Sequence, residues 1–346
     1  MYYALFFICI ISRIITSIYY VEDIDSLRFA YSVINEYSIK NLQPHFPGYP
    51  VFSFIGIVLY FITNSLGISF SIIGGTSTFI IIIYCLKLLK IKINSAYGVL
   101  ISLFIIINPM IWLMSNRYMP DLFGLSIILS SFYYLIQQNS YFYKLIGGFL
   151  AGISTGIRLS YFPILIAPLI LLFKDKELDL KIFCSFTFGI LMWLIPLIYI
   201  EGFFSLYNSA YVHTIGHFFD FGGSIITESN IINRIKYLLW TIWSDGLGLF
   251  VNGRSYLTLL PIFPICYILY NSLKTYKKGI ENKNIKWIIT AMIIYTLWIM
   301  LSQNLIYKSR HVLPLITFLI ILIFSQKRSA MIMSMSFLYI ISTNYI

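Results

Sequence analysis

Apolar stretches of roughly twenty residues recur along the whole chain, and this recurrence constrains the fold more than any other feature. They fall near 2–20, 47–66, 68–86, 96–114, 121–137, 145–157, 159–173, 182–200, 247–272, 287–303, 312–326 and 329–344. A helix rises 1.5 Å per residue and bonds its own backbone groups, so about 20 such residues cross roughly 30 Å of hydrocarbon. Composition agrees. Of 346 residues 59% are hydrophobic and 11% charged, where a soluble domain carries about 25% charge. A compact soluble enzyme, a disordered chain and a nucleic-acid binder are therefore excluded. The chain reads as an all-α polytopic membrane protein with one transmembrane domain over 1–346.

Charge sets the expected topology. The net charge is +11, and its uneven distribution matters more than its size. The short loops around Lys87–Lys92, Lys144, Lys174–Lys181, Lys274–Lys286 and Lys327/Arg328 hold fourteen Lys and Arg against four acids. The remaining loops, dominated by 21–46 and 201–246, balance nine acids with nine bases, and Arg13 is left inside the first helix. Cationic loops stay cytoplasmic, so 21–66 and 201–246 are expected to form the first and second outer loops. Two apolar stretches then separate an outer loop from an inner one, and only one of them can span. Segment 47–66 opens with Pro47, Gly48 and Pro50 and is broken at Thr63-Asn64-Ser65. It is expected to lie as a juxtamembrane or re-entrant helix on the outer face. About eleven spanning helices result, with 145–157 and 159–173 forming a short hairpin tipped by Arg158. The N-terminus lacks a basic n-region and a small-residue cleavage site, and reads as a retained helix. Cys9, Cys85, Cys184 and Cys266 lie within apolar runs and read as core hydrophobes.

Four outer features stand out from this background. Glu22-Asp23-Ile24-Asp25 follows the first helix with Arg28 as the only nearby base, and acids at a membrane boundary need water or a polar cavity. Pro44-His45-Phe46-Pro47-Gly48-Tyr49-Pro50 is a rigid corner that sets the angle of the next helix. His45 there is either a polar contact or a catalytic group. In Ser115-Asn116-Arg117-Tyr118-Met119-Pro120-Asp121, the aspartate sits in the first turn of a helix, where the dipole favours a carboxylate. Plain helix capping competes with a functional role. Tyr307-Lys308-Ser309-Arg310-His311 places cations on the outer side, against the general trend, and an anionic ligand such as a lipid phosphate supplies a reason. Arg117, Arg158 and Arg254 are weaker members of that cationic set. Carboxylates beside phosphate-binding cations suit transfer of a sugar from a polyprenyl phosphate. A carboxylate takes the acceptor proton and the cations hold the phosphate leaving group.

At these residues the chain resembles the GT-C superfamily of polyprenyl-phosphate-sugar-dependent membrane glycosyltransferases. The resemblance is to the branch of protein O-mannosyltransferases and lipid A aminoarabinose transferases. Asp25-Ser26-Leu27-Arg28-Phe29-Ala30 followed by PHFPGYPVF at 44–52 is similar to a first outer loop reading D-S-x-x-F-A, then P-H-P-P-G-Y-P, with Phe46 in place of a proline. The likeness covers roughly 20–175 and, locally, 305–315. It implies a GT-C-like bundle with juxtamembrane helices and an inverting transferase. It implies Asp25 as the catalytic carboxylate with Asp23 as second candidate, since Ser26 stands where many relatives have Glu. Asp121 matches a second outer aspartate. Arg310, Lys308 and His311 match a late motif near the donor phosphate, with Arg158 and Arg117 as further phosphate contacts. Glu22, His45 and Tyr49 belong to the substrate loop.

The expected partners are a polyprenyl-phosphate sugar, an acceptor glycan, lipid or protein, and membrane lipids. The expected location is the plasma (inner) membrane, with the site facing the periplasm or exterior. His213 and His217, four apart, are either metal ligands on one helical face or two polar histidines on an aromatic-rich segment. No metal is assigned, although some GT-C relatives use a divalent ion. Two other functions fit the composition. An O-antigen polymerase or ligase would be expected to rely on arginines in large outer loops, where 201–246 offers only Arg234. A lipid-linked sugar flippase would be expected to show internal repeats and charges at mid-membrane depth, where Arg13 stands alone.

Overall fold

A computed structural model describes residues 1–137, 140–276, 283–325 and 330–343. Of the charges counted above, Lys277, Lys278, Glu281, Lys327 and Arg328 lie outside the described residues. The architecture is helical, with one isolated antiparallel bridge joining Ser38 to Gln43. Helix α1 (Tyr2–Ile15) leads to α2 (Ile24–Ile34) and α3 (Pro50–Thr63), then α4 (Leu66–Leu89). Next come α5 (Ala96–Ile107), α6 (Pro109–Asn116), α7 (Asp121–Ile136), α8 (Tyr141–Arg158) and α9 (Ile166–Lys174). The second half holds α10 (Leu180–Glu201), α11 (Phe203–Ile215), α12 (Ile231–Thr241), α13 (Ile262–Tyr276), α14 (Lys283–Ser302), α15 (Leu313–Phe324) and α16 (Ala330–Thr343).

Contacts show which end of the bundle each helix reaches. Helices α1 and α4 are antiparallel, because Gly67 abuts Ile18 and Phe6 packs on Phe79 at a ring separation of 5.3 Å. Tyr118, just before α7, donates to the Ile18 carbonyl at 2.7 Å, which brings the start of α7 to the same end as the start of α4. At the other end, Asn284 donates to the carbonyl of Leu88. Helix α3 does not travel between the ends. Its Tyr49 meets Arg158, its Phe52 stacks on Phe70 near the start of α4, and Thr63 bonds Ser69 at 2.7 Å. Pro50 and the left-handed Asn64 bound it, so it lies across one end of the bundle.

The segment Tyr141–Lys174 reads as 34 continuous helical residues. A straight helix of that length would part its ends by about 50 Å. Instead Lys144 Nζ lies 2.5 Å from Glu177, and Tyr141 bonds Asp179. The chain therefore doubles back, through non-helical dihedrals at Arg158 and a 3-10 turn, Leu159–Leu165, that contains Pro163. Arg158 stands at the tip. The outgoing arm packs closely on α10, where a Cβ added at Gly152 would collide with the Phe186 carbonyl, the small-residue contact that lets membrane helices approach.

The expected run 96–114 needs correction, because Pro109 breaks it into α5 and α6, bent by 59°. Among the described residues, five helical stretches are long and apolar enough to cross a membrane, one of them the doubled-back Tyr141–Lys174, or six if α5–α6 counts as one span. Helices α1, α3, α7, α15 and α16 are shorter apolar helices beside them. Arg13 compensates the break at Pro109. Fully buried, it donates to the Ile106 carbonyl at 2.8 Å near the end of α5, with its guanidinium 3.9 Å from the Trp112 ring centroid. The cysteines need correction as well. Cys9 and Cys85 are buried, but Cys184 and Cys266 are exposed on α10 and α13, where lipid is as apolar as a core and burial is not required.

Candidate functional site

The site grows from the first turn of α2. Asp23 caps that helix by accepting from the Ser26 amide at 2.8 Å, which fixes the start of the turn that carries Asp25. Asp25 is 3% exposed, and three cations converge on it. Lys308 Nζ is 2.6 Å away, Arg310 Nη2 is in direct contact, and Arg28, one helical turn along, is at 3.5 Å. Burial opposes ionisation, but Arg310 and Lys308 outweigh it and hold the carboxyl well below the usual carboxylate range. The clustered cations at 308–310 are thus brought onto the first-loop acid from the far end of the chain.

The proline corner supplies the facing wall. Gly48 takes φ +86°, a left-handed value that glycine accepts freely, and Tyr37 donates to its carbonyl at 2.8 Å. This turn aims His45 and Tyr49 inward. His45 Nδ1 is 4.0 Å from Asp25, and its Nε2 is 3.1 Å from the Tyr49 hydroxyl. Arg158 Nη1 donates to that hydroxyl at 3.3 Å, leaving the tyrosine proton for Nε2 and a proton on Nδ1 facing Asp25. Burial pushes the His45 pKa down to about 3, against the pull of Asp25, so the ring is neutral.

Asp121 is the second buried carboxylate. It is N1 of α7 and makes no capping bond. Its Oδ1 instead meets Arg158 Nη2 at 3.0 Å and accepts from Tyr161 at 3.3 Å, while Arg310 Nε lies 3.9 Å from Oδ2. Arg310 therefore stands between the two aspartates.

These groups open onto a cavity of about 790 Å³, in the range of small-molecule sites. Asp25, His45, Tyr49, Arg158, Lys308, Arg310 and His311 line it, as expected of site residues. Five other expected residues do not. Asp121 sits behind Arg158, because its charge is consumed there. Arg117 is turned away from the cavity by the acids of the first loop, contacting Glu22 directly and Asp23 at 3.4 Å. Glu22 is thereby an ion-pair partner, and Asp23 is a helix cap that also meets Arg310 at 3.5 Å. Arg254 serves its own loop, bonding Asp245 and the Ser244 carbonyl.

Several lining residues were not singled out from sequence as site groups. Arg28 was visible only as the nearest base, although its i, i+3 spacing from Asp25 marks a shared face. Ser160, Trp298, Gln303 and Asn304 carried no signal. His213 and His217 do reach the cavity. The His213 ring stacks on His45 at 5.2 Å, His217 donates to the Ser302 carbonyl at 2.8 Å, and burial lowers the His213 pKa to about 4. Among the described residues no group of three His, Cys, Asp or Glu is placed to hold a metal ion.

No family model and no curated protein sequence matches the chain. By structure, it is similar to ArnT from Cupriavidus metallidurans, solved bound to undecaprenyl phosphate. The TM-score is 0.58 over 93% of this chain, at 9% sequence identity. This chain has the GT-C fold. It spans 58% of the length of the ArnT chain. The GT-C fold here is that of a multi-pass membrane protein, with the cavity at the end of the bundle where α2 and α3 lie.

Proposed function

We propose that the chain is a glycosyltransferase that moves a sugar from a polyprenyl-phosphate donor to an acceptor, acting as a single transmembrane domain at the outer face of a plasma membrane. The observation that carries this reading is the ionised Asp25 on a cavity wall with Arg310, Lys308 and Arg28 around it, in a fold shared with a protein that binds undecaprenyl phosphate. The donor phosphate sits against Arg310 and Lys308, and Arg158 extends the cationic wall. The acceptor hydroxyl approaches Asp25. Its oxygen forms the new bond to the anomeric carbon, and the bond from that carbon to the phosphate oxygen breaks on the opposite face. The electron pair leaves with the polyprenyl phosphate, whose second negative charge the cations stabilise, and the hydroxyl proton passes to Asp25. A phosphate that competes for Arg310 and Lys308 loosens their hold on Asp25 and makes it a stronger base.

The few groups that the other readings could draw on are occupied. Arg234, the arginine of the second loop, is fully buried and donates to the carbonyls of Gly223, Ile299, Met300 and Gln303. Arg13 caps a broken helix. The test is native mass spectrometry of the detergent-purified protein. Co-purified polyprenyl phosphate that is lost in Arg310→Ala and kept in Asp25→Asn is the expected result. Binding indifferent to Arg310 overturns the phosphate assignment.

A further inference from the structure

The cavity carries information about the sugar as well as the phosphate. Around Asp25 and Asp121 the ionised side chains form one connected network, with Arg28, Arg117, Arg158, Lys308 and Arg310 facing Glu22, Asp23, Asp25 and Asp121. Five cations against four carboxylates leave one positive charge. A sugar phosphodiester brings one negative charge, so the phosphate alone balances the network.

The rest of the cavity is uncharged. Among the described residues Asp25 is its only acidic lining residue, and three cations already claim it. No second carboxylate among them lines the cavity to receive an ammonium group, and its lining cations are the same four that face Asp25, Asp121 and the phosphate. The wall formed by the 3-10 turn Leu159–Leu165 and the end of α14 presents Ser160, Trp298, Gln303 and Asn304 among aromatic rings that include Phe162 and Phe218. Ser160 Oγ, Trp298 Nε1 and the Nδ1 of the neighbouring His311 are buried without a hydrogen-bond partner. Such groups cost about 1–3 kcal/mol each when left unmade, and a few placed polar groups in an apolar cavity are what set ligand orientation.

We infer that this wall is the sugar subsite and that it selects an uncharged, hydroxyl-rich sugar over one bearing an amino or carboxylate group. Sugar hydroxyls entering beside these residues supply the partners that Ser160 and Trp298 lack. The inference rests on the polyprenyl-phosphate reading above.

The experiment compares four ligands on the purified full chain by native mass spectrometry titration. They are undecaprenyl phosphate, the same lipid phosphate carrying glucose, one carrying a 4-aminopentose, and one carrying glucuronate. The glucose lipid is expected to bind at least about tenfold tighter than either charged-sugar lipid. Trp298→Phe keeps an aromatic ring and removes the N–H together with the five-membered part of the indole. It is expected to cost the glucose lipid about tenfold, roughly one net hydrogen bond, and to leave undecaprenyl phosphate unchanged. Ser160→Ala is expected to cost about threefold with the same selectivity. Unchanged binding of the bare lipid also reports that each variant is folded. Equal or tighter binding of a charged-sugar lipid overturns the inference, as does a Trp298→Phe loss that is the same with and without the sugar. Both outcomes leave the phosphate reading standing. Failure of the wild-type chain to bind undecaprenyl phosphate at all overturns both.

Discussion

Asp25 and Asp121 are both almost fully buried, both begin helices, and both touch Arg310. Only Asp25 lines the cavity. Its partners, Lys308 and Arg28, are partly exposed and free to be shared with a ligand, whereas Asp121 is sealed against Arg158 and Tyr161. The same residue type beside the same guanidinium therefore stands in two different settings. One carboxylate faces the cavity, and the other pairs with an arginine that lines it.

The comparison can be broken most decisively at Asp25. Asp25→Asn is expected to lower transfer by about 10³-fold, within the range for loss of a general base, while the protein still accumulates in the membrane. Retained turnover in a radiolabelled-donor assay would move the base elsewhere. At Asp121 the expected loss is structural. Asp121→Ala leaves Arg158 charged, buried and unpaired, which typically costs about 3–5 kcal/mol and is read as a lower Tm in detergent. The double variant Asp121→Leu/Arg158→Met should recover much of that Tm but not the donor affinity. A single variant with unchanged Tm would show that Asp121 is not structural. A smaller effect is expected at Arg117, which pairs with acids near the surface. Arg117→Gln should cost under about 1 kcal/mol and leave donor binding intact, and a tenfold binding loss would return Arg117 to the phosphate site.

A further effect is one of pH. His45 is held neutral in the fold, with its pKa lowered to about 3 from a usual value near 6.5. The stability tied to that shift is complete above pH 6.5 and is lost as pH falls towards 3, because the unfolded chain takes up the proton first. His213 adds in the same direction, with its pKa at about 4. Tm should therefore decline between pH 6.5 and 5, before the shift at Asp25 contributes, and His45→Gln should flatten the decline. An unaltered slope in that variant would assign the effect to other groups.

Much of this was legible in the linear chain. The apolar runs required a membrane-embedded helical protein, and the Lys distribution required 47–66 to stay at one end, where α3 indeed begins and ends. The acidic run, the proline corner and the Lys308–Arg310 cluster were recognisable because charge and proline are rare in such a background. What was not legible were the partners. Nothing local distinguishes Arg117, spent on Glu22, from Arg158, which reaches the cavity. One helix length was misjudged for a related reason, since hydropathy continues through Pro109 while the helix axis bends there, whereas the turn at Arg158 was expected and is found.

By itself, then, the sequence determined the solvent this protein lives in and the residue types available at one end of its bundle, because hydrophobicity and charge act through composition and spacing alone. Which aspartate meets the cavity, which arginine is consumed, and that Ser160 and Trp298 join a wall with His311 were decided only in three dimensions. Those outcomes depend on contacts between residues tens to hundreds of positions apart, such as Lys308 with Asp25. Only the packed helices, and the breaks that turn them, bring such residues within a few ångströms.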